Sequence, residues 1–216
     1  MSRKIFIFFG PPGSGKGTQA EKLGQRLGLP VISTGEVLRQ AVEAGTAVGR
    51  QVKSYVDSGQ LAPSPLLKKI LDQRLKRDDC AAGFILDGYP REQEEVDDLK
   101  RWLKADDVVI WVEIKVSDRE VLNRLSGRRV CDCGASYHLV YNPPQRAGQC
   151  DVCGRRLAMR SDDRPEVIQR RLVTYHQTAA LLTAAAAQYK LISLDGQQPI
   201  HQVQAALWSA IQQISN

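Results

Sequence analysis

The chain has 216 residues, 43% of them hydrophobic and 25% charged, with 17 Gly, 10 Pro and 5 Cys. This composition excludes a collagen-like repeat, a disordered chain and a disulfide scaffold, and the length suits one large domain, or one core with small insertions, around a proper apolar centre. Lysine and arginine exceed aspartate and glutamate by 30 to 24, a formal charge of +6 that favours anionic partners.

Ile5 to Phe9 is an unbroken β-prone apolar run, the pattern of a parallel strand buried on both faces. It is too short for a signal-peptide core, and no stretch reaches the roughly 18 apolar residues of a membrane-crossing helix, so a soluble, cytoplasmic protein is expected. A glycine-rich turn follows, then a predicted helix from Gln19 to Leu27 and a short strand at Val31 and Ile32. Thr34 is placed to cap a helix over Glu36 to Glu43, and another helix is expected over Val48 to Asp57, stopped at Gly59. Pro63 and Pro65 open a helix running to about Arg77; Gly83 to Asp87 reads as a third strand. Helix Glu92 to Lys104, strand Val108 to Ile114 and helix Asp118 to Leu125 continue the alternation, which predicts a parallel sheet with helices on both faces. From Gly127 to Asp163 the rhythm breaks, with four cysteines, Pro143-Pro144 and short strands around Ser136 to Tyr141. A long helix from Pro165 to Gln188, a strand from Leu191 to Leu194 and a helix from Ile200 to Ile214 complete the pattern.

The turn Gly10-Pro11-Pro12-Gly13-Ser14-Gly15-Lys16-Gly17-Thr18 lies between a buried strand and a helix, the setting a phosphate-binding loop requires. Backbone N–H groups of such a loop and the helix N-terminus cradle an anion, and Lys16 can reach the β and γ phosphates. The hydroxyl that usually follows the lysine is displaced by Gly17 onto Thr18. Charge is also distributed unevenly. Eleven of the nineteen arginines fall between Arg119 and Arg171, and residues 116 to 189 contain no lysine. Guanidinium grips phosphate through a planar fork, so this bias points to phosphate ligation; a solvated basic face or a nucleic-acid patch is the alternative. Taken singly, Arg39, Arg160 and Arg171 read as solvated or salt-bridged helix residues and Asp87 as a turn aspartate.

Together with that loop, Ser33-Thr34-Gly35-Glu36 with Leu38-Arg39, Asp87-Gly88-Tyr89-Pro90-Arg91, Gly127-Arg128-Arg129, Arg160-Ser161-Asp162-Asp163 and Arg170-Arg171-Leu172 occur in one order. In type, order and spacing they resemble the adenylate kinases among the nucleoside monophosphate kinases. The resemblance spans essentially the whole chain, and Tyr137-His138 with Asn142-Pro143-Pro144 resembles that family's long lid, which the uridylate and cytidylate kinases lack. It implies Mg²⁺-dependent phosphoryl transfer from ATP to AMP, giving two ADP. It also implies an α/β P-loop core with a five-stranded parallel sheet at 1–32, 63–126 and 164–216, a monophosphate-binding insertion at 33–62 and a lid at 127–163. Lys16, Arg91, Arg128, Arg160 and Arg171 are the implied clamp on the transferring phosphoryl group, and Asp87 the carboxylate that orients waters on Mg²⁺. By the same matching, Gly13, Ser14, Gly15, Lys16, Gly17, Thr18, Arg124 and Arg128 hold ATP, with Ser136 and Tyr137 near its ribose and Gln198 near its base. Thr34, Arg39, Gln60, Leu61, Ala62, Gly88, Arg91, Glu95, Arg160 and Arg171 are implied for AMP.

One position departs from the family pattern. Four residues after the arginine of Asp87-Gly88-Tyr89-Pro90-Arg91 the family has a glutamine that reads adenine, and here Glu95 stands there. Gln93 lies about 200° away around a helix and does not replace it. A carboxylate accepts from the adenine amino group but donates nothing to the ring nitrogen, whereas guanine presents two adjacent donors, so reduced discrimination for AMP or some use of GMP is expected.

Cys131-x-Cys133 and Cys150-x2-Cys153 are separated by sixteen residues. Four paired cysteines in a chain without a secretion signal read as structural zinc, with a metal-free lid or a disulfide as alternatives. The first pair is one residue shorter than the usual spacing, and Cys80 reads as an inert buried thiol. A nucleic-acid-binding NTPase with a zinc ribbon is a further alternative, but only Tyr137 and Tyr141 are available there for stacking. ATP, AMP and ADP are therefore the expected partners, with no nucleic acid, no membrane and a monomeric chain.

Overall fold

The computed structural model describes residues 2–215. Five strands, Lys4–Phe9 (β1), Val31–Ser33 (β2), Gly83–Asp87 (β3), Val108–Lys115 (β4) and Lys190–Asp195 (β7), form one parallel sheet in the order β2-β3-β1-β4-β7. The apolar run of β1 is buried on both sides, as its sequence predicts. Ile5, Ile7 and Phe9 enter one core cluster with Phe84, Leu86, Trp111 and Leu182. Phe6 and Phe8 enter the other with Ala20, Leu23, Val112, Ile192 and Leu207. Helices Lys16–Leu27 (α1), Ser64–Arg74 (α4), Gln93–Trp102 (α5), Asp118–Gly127 (α6), Pro165–Ala186 (α7) and Ile200–Ser215 (α8) flank this sheet.

The chain leaves β1, reaches the sheet edge at β2, returns to β3 beside β1 and crosses to β4 on the other side. That reversal opens a crevice at the carboxyl end of β1, where open α/β sheets bind ligands. Two segments stand over it. Thr34–Glu43 (α2) and Ala47–Ser58 (α3) pack on each other. Arg128–Val130 (β5) and Ser136–His138 (β6) form an antiparallel ribbon with a small core of Cys131, Tyr137, Cys150 and Leu157.

Element limits differ from expectation where backbone chemistry decides them. α1 begins at Lys16, three residues before the predicted start, because Gly15 takes φ +95 as its N-cap and turns the loop directly into the helix. α2 is preceded by Ser33, so Thr34 lies in its first turn and its hydroxyl donates to the Gly88 carbonyl at 3.0 Å. α4 stops at Arg74, and Asp78–Cys80 form a separate 3₁₀ turn. α5 stops at Trp102 because Leu103 is extended. Among the described residues no helix is long and apolar enough to cross a membrane.

Candidate active site

A cleft of about 1300 Å³ lies at the carboxyl end of the sheet. Its floor is the loop after β1 and the first turn of α1, lined by Gly13, Ser14, Gly15, Lys16, Gly17 and Thr18. The backbone N–H groups at that helix start, with the helix dipole behind them, make the floor attractive to anions. Lys16 Nζ donates to the carbonyls of Gly10 at 2.9 Å and Pro11 at 2.7 Å, which holds the ammonium over the cradle. Burial lowers its pKa to about 8, and although Asp87 opposes the shift, Arg91, Arg171 and Arg128 add to it. Asp87 ends β3 with Oδ2 accepting from Ser33 Oγ at 3.1 Å, and a Cβ on Gly17 would lie 3.4 Å from that oxygen.

Cations from four parts of the chain line the same cleft: Arg39 of α2, Arg91 after β3, Arg128 of β5, and Arg160 and Arg171 around the start of α7. Arg91 Nε donates to the Gly88 carbonyl at 2.8 Å, and the other four meet at Asp162-Asp163, two buried carboxylates. Asp162 pairs with Arg160 at 2.8 Å, Arg171 at 3.2 Å and Arg39 at 3.8 Å. Asp163 accepts from Arg128 Nε at 2.7 Å and lies 3.4 Å from Arg171. Burial works to raise the Asp162 carboxyl, and Arg171 and Arg160 overcome it, holding it well below the usual carboxylate range. Arg160 and Arg171 are lowered to about 10, first by burial and then by neighbouring guanidinium groups. Crowded, partly dehydrated cations of this kind gain when an anion is added between them.

On the other side of the cleft, Arg124 of α6 donates to Glu120 at 2.8 Å and to the Gly196 carbonyl at 2.7 Å, which ties α6 to the turn after β7. Ser136, Tyr137 and Gln198 line this half. Of the residues expected at the monophosphate, Arg39, Leu61, Gly88, Arg91, Arg160 and Arg171 line the cleft, whereas Thr34, Gln60, Ala62 and Glu95 do not. Glu95 is 2% exposed, and its carboxylate accepts from the backbone N–H of Arg91 at 2.7 Å. Its other oxygen lies 3.5 Å from Ser64 Oγ, whose proton goes to Glu92 at 2.7 Å. Burial raises this carboxyl to about 7, with Glu92 adding and Arg91 opposing.

Sequence reasoning assigned no site role to Asp162, Asp163, Glu36, His138 or Tyr141. Glu36 binds Arg39 at 2.9 Å, and Glu36, His138 and Tyr141 line the cleft. The available signal was the pair of aspartates inside an arginine-rich stretch, since buried arginines need buried counter-charges.

Above the cleft the sulfurs of Cys131, Cys133, Cys150 and Cys153 all lie within 4.8 Å of one another. The Cys131–Cys153 and Cys133–Cys150 separations are 3.4 and 3.5 Å. A tetrahedral zinc with bonds near 2.3 Å needs sulfurs roughly 3.8 Å apart, so this donor set fits the metal with small adjustment. The shortened Cys131-x-Cys133 spacing does not keep either thiol out of the cluster. Cys80 is buried and remote, beside Arg74.

A family model described as adenylate kinase matches residues 8–189. The chain is 46% identical over 202 residues to an adenylate kinase of Methanosarcina barkeri, covering 91% of this chain and 93% of the relative. It is 44% identical over 219 residues to an adenylate kinase of Methanocella arvoryzae, covering 97% and 99%. It is also 46% identical over 211 residues to an adenylate kinase of Trichlorobacter lovleyi, covering 95% and 98%.

Proposed function

The chain belongs to the adenylate kinase family, transferring a phosphoryl group reversibly from ATP to AMP to give two ADP, and we propose how its residues divide that work. The γ-phosphoryl group spreads negative charge as it leaves one oxygen and approaches another, so the protein contributes positioning and positive charge more than covalent chemistry. In this reading the loop 13–18 cradles the ATP phosphates, and Lys16 follows the migrating group. Arg128 and Arg160 reach it from the lid ends, Arg91 and Arg171 hold it against the acceptor phosphate, and Arg39 anchors AMP. Asp162 and Asp163 keep Arg39, Arg128, Arg160 and Arg171 aimed inward until phosphate oxygens share them. The observation that carries the reading is the convergence of six arginines and Lys16 on one cleft.

Adenylate kinases use Mg²⁺ with ATP, and Asp87, beside the start of α1, is the carboxylate proposed to hold waters on that ion. Zinc in the four-cysteine cluster would be structural, pinning a lid whose own core is only a few residues. Segments 33–62 and 127–163 are proposed as insertions that close over AMP and ATP, excluding the water that would otherwise hydrolyse ATP. The enzyme is taken to work as a cytoplasmic monomer without nucleic acid. Because Glu95 is buried outside the cleft lining and accepts from the Arg91 N–H, its carboxylate is not presented to a base, and the GMP reading loses its basis.

A coupled assay of ATP with AMP, GMP, CMP and UMP, run with and without a zinc chelator, tests these assignments together. AMP is expected to be preferred, with activity declining as zinc is withdrawn. Equal use of GMP would overturn the acceptor assignment, and indifference to prolonged chelation would overturn the structural zinc.

A further inference from the structure

The tip of the lid hairpin is held by the side chain of one of its own residues. β6 ends at His138, the chain turns through Leu139, Val140 and Tyr141, and Asn142 then pairs back onto His138. Within this turn the N–H groups of Val140 and Tyr141 both donate to His138 Nδ1, each at 3.0 Å. Two donors on Nδ1 require its lone pair, so the ring is neutral and carries its proton on Nε2. That nitrogen lies 3.5 Å from the Asn123 carbonyl of α6. The ring also packs over Gly127, where a Cβ would come within 2.4 Å of Nε2, so the backbone at the α6–lid junction must be glycine for the ring to sit there.

The other face of this arrangement points at the cleft. The His138 ring stacks on Tyr141 with centroids 4.4 Å apart, and the Arg124 guanidinium lies 5.8 Å from the Tyr141 ring centroid. Arg124 in turn bonds the carbonyls of Ser14 in the phosphate loop, at 3.4 Å, and Gly196 after β7. Lid tip, α6 and phosphate loop are thereby joined through one aromatic-cation stack, and His138, Tyr141 and Arg124 all line the cleft beside Gln198.

We propose that neutral His138 is a positioning residue for the donor nucleotide: it holds Tyr141 beside Arg124 at the base end of the cleft, and protonation of the ring releases the lid tip. The proposal deepens the donor-site assignment made above and rests on it. Protonation adds a hydrogen to Nδ1, so both backbone N–H groups lose their acceptor in one step. The groups facing the ring are Arg124 and Glu120 from α6 and Tyr141 from the tip. Burial disfavours the imidazolium most and Arg124 adds to this, while Glu120 and the Asn123 carbonyl favour it; the net effect lowers the His138 pKa below its ordinary value. The latch is therefore closed at neutral pH and opens on acidification.

The test uses the full-length, zinc-loaded protein, with NMR following both the His138 ring titration and the exchange of the Val140 and Tyr141 amides. In wild type, protection of both amides should fall by about tenfold or more as the ring protonates, the scale set by two lost hydrogen bonds. His138→Asn places an amide oxygen, which accepts but does not titrate, near the position of Nδ1; protection should stay flat with pH. His138→Phe should lose protection at every pH. The KM for ATP is then compared between wild type and His138→Asn, so that titration of the nucleotide cancels in the ratio, and this ratio should rise with ring protonation while the AMP ratio stays constant. Amide protection indifferent to ring protonation overturns the latch. Loss of protection with a flat ATP ratio overturns the positioning role. Failure of both enzymes to phosphorylate AMP at any pH would instead be a failure of the functional assignment.

Discussion

Glu95→Gln replaces a buried carboxyl by its neutral isostere and should stabilise the protein in a strongly pH-dependent way. In the wild type, three oxygens, Glu95 Oε1, Ser64 Oγ and Glu92 Oε2, share the single Ser64 proton when both carboxyls are ionised. Burial makes this costly and lifts the Glu95 carboxyl from 4.5 to about 7. A raised acid binds its proton more tightly in the folded chain than in the unfolded one. The penalty is therefore absent below about pH 4.5, grows as pH rises towards 7, and is complete above it. At about 1.4 kcal/mol per pH unit the full penalty is roughly 3 kcal/mol, or about 6 to 12 °C in Tm for a chain of this size. Glutamine still accepts from the Arg91 N–H and can donate to Ser64 Oγ, so the hydrogen bonds survive and the charge does not. Calorimetric melts of both proteins at pH 4.5, 6 and 8 should show curves that coincide at the lowest pH and separate by the largest margin at pH 8. A gain that does not vary with pH, or a loss at pH 8, would refute the argument that an ionised carboxylate is being buried there.

Asp162→Asn removes the charge that three guanidinium groups share. Breaking a largely buried ion network of this kind costs about 3 kcal/mol, and the deficit in Tm should narrow when ADP supplies phosphate oxygens; an equal deficit with and without ADP would show that Asp162 is not standing in for an anion. Because its carboxyl is held low in the folded chain, the stabilisation by Asp162 is present above pH 3.8 and lost as pH falls further. Cys133→Ser should reduce bound zinc, measured colorimetrically after denaturation, and raise the KM for ATP more than that for AMP, because the cluster lies in segment 127–163, proposed above to close over ATP. Unchanged metal content would remove Cys133 from the ligand set.

The phosphate loop and the sheet were legible because their chemistry is local. A run such as Ile5 to Phe9 can satisfy both faces of a sheet only in the middle of one, and a glycine loop that follows it delivers backbone N–H groups at a helix start. The four cysteines were legible for the same reason, since thiol pairs at short spacing announce a shared ligand whatever surrounds them. What could not be read was the partnering of charge across long separations. Asp162 and Asp163 look like surface residues in an arginine-rich segment, yet they are buried because Arg39, Arg128 and Arg171 arrive from other elements. Glu95 was legible as a departure from a family pattern but not in its direction. Its side chain follows the N–H of Arg91, one helical turn back, and that local bond turns it from the cleft. His138 shows the limit most plainly: its two donors lie two and three residues downstream, but a three-residue strand carries too little pattern to predict the turn that brings them to one nitrogen. Side chains proposed to bind phosphate announce themselves by type and order, whereas those that aim them are identified only by which partner each atom has.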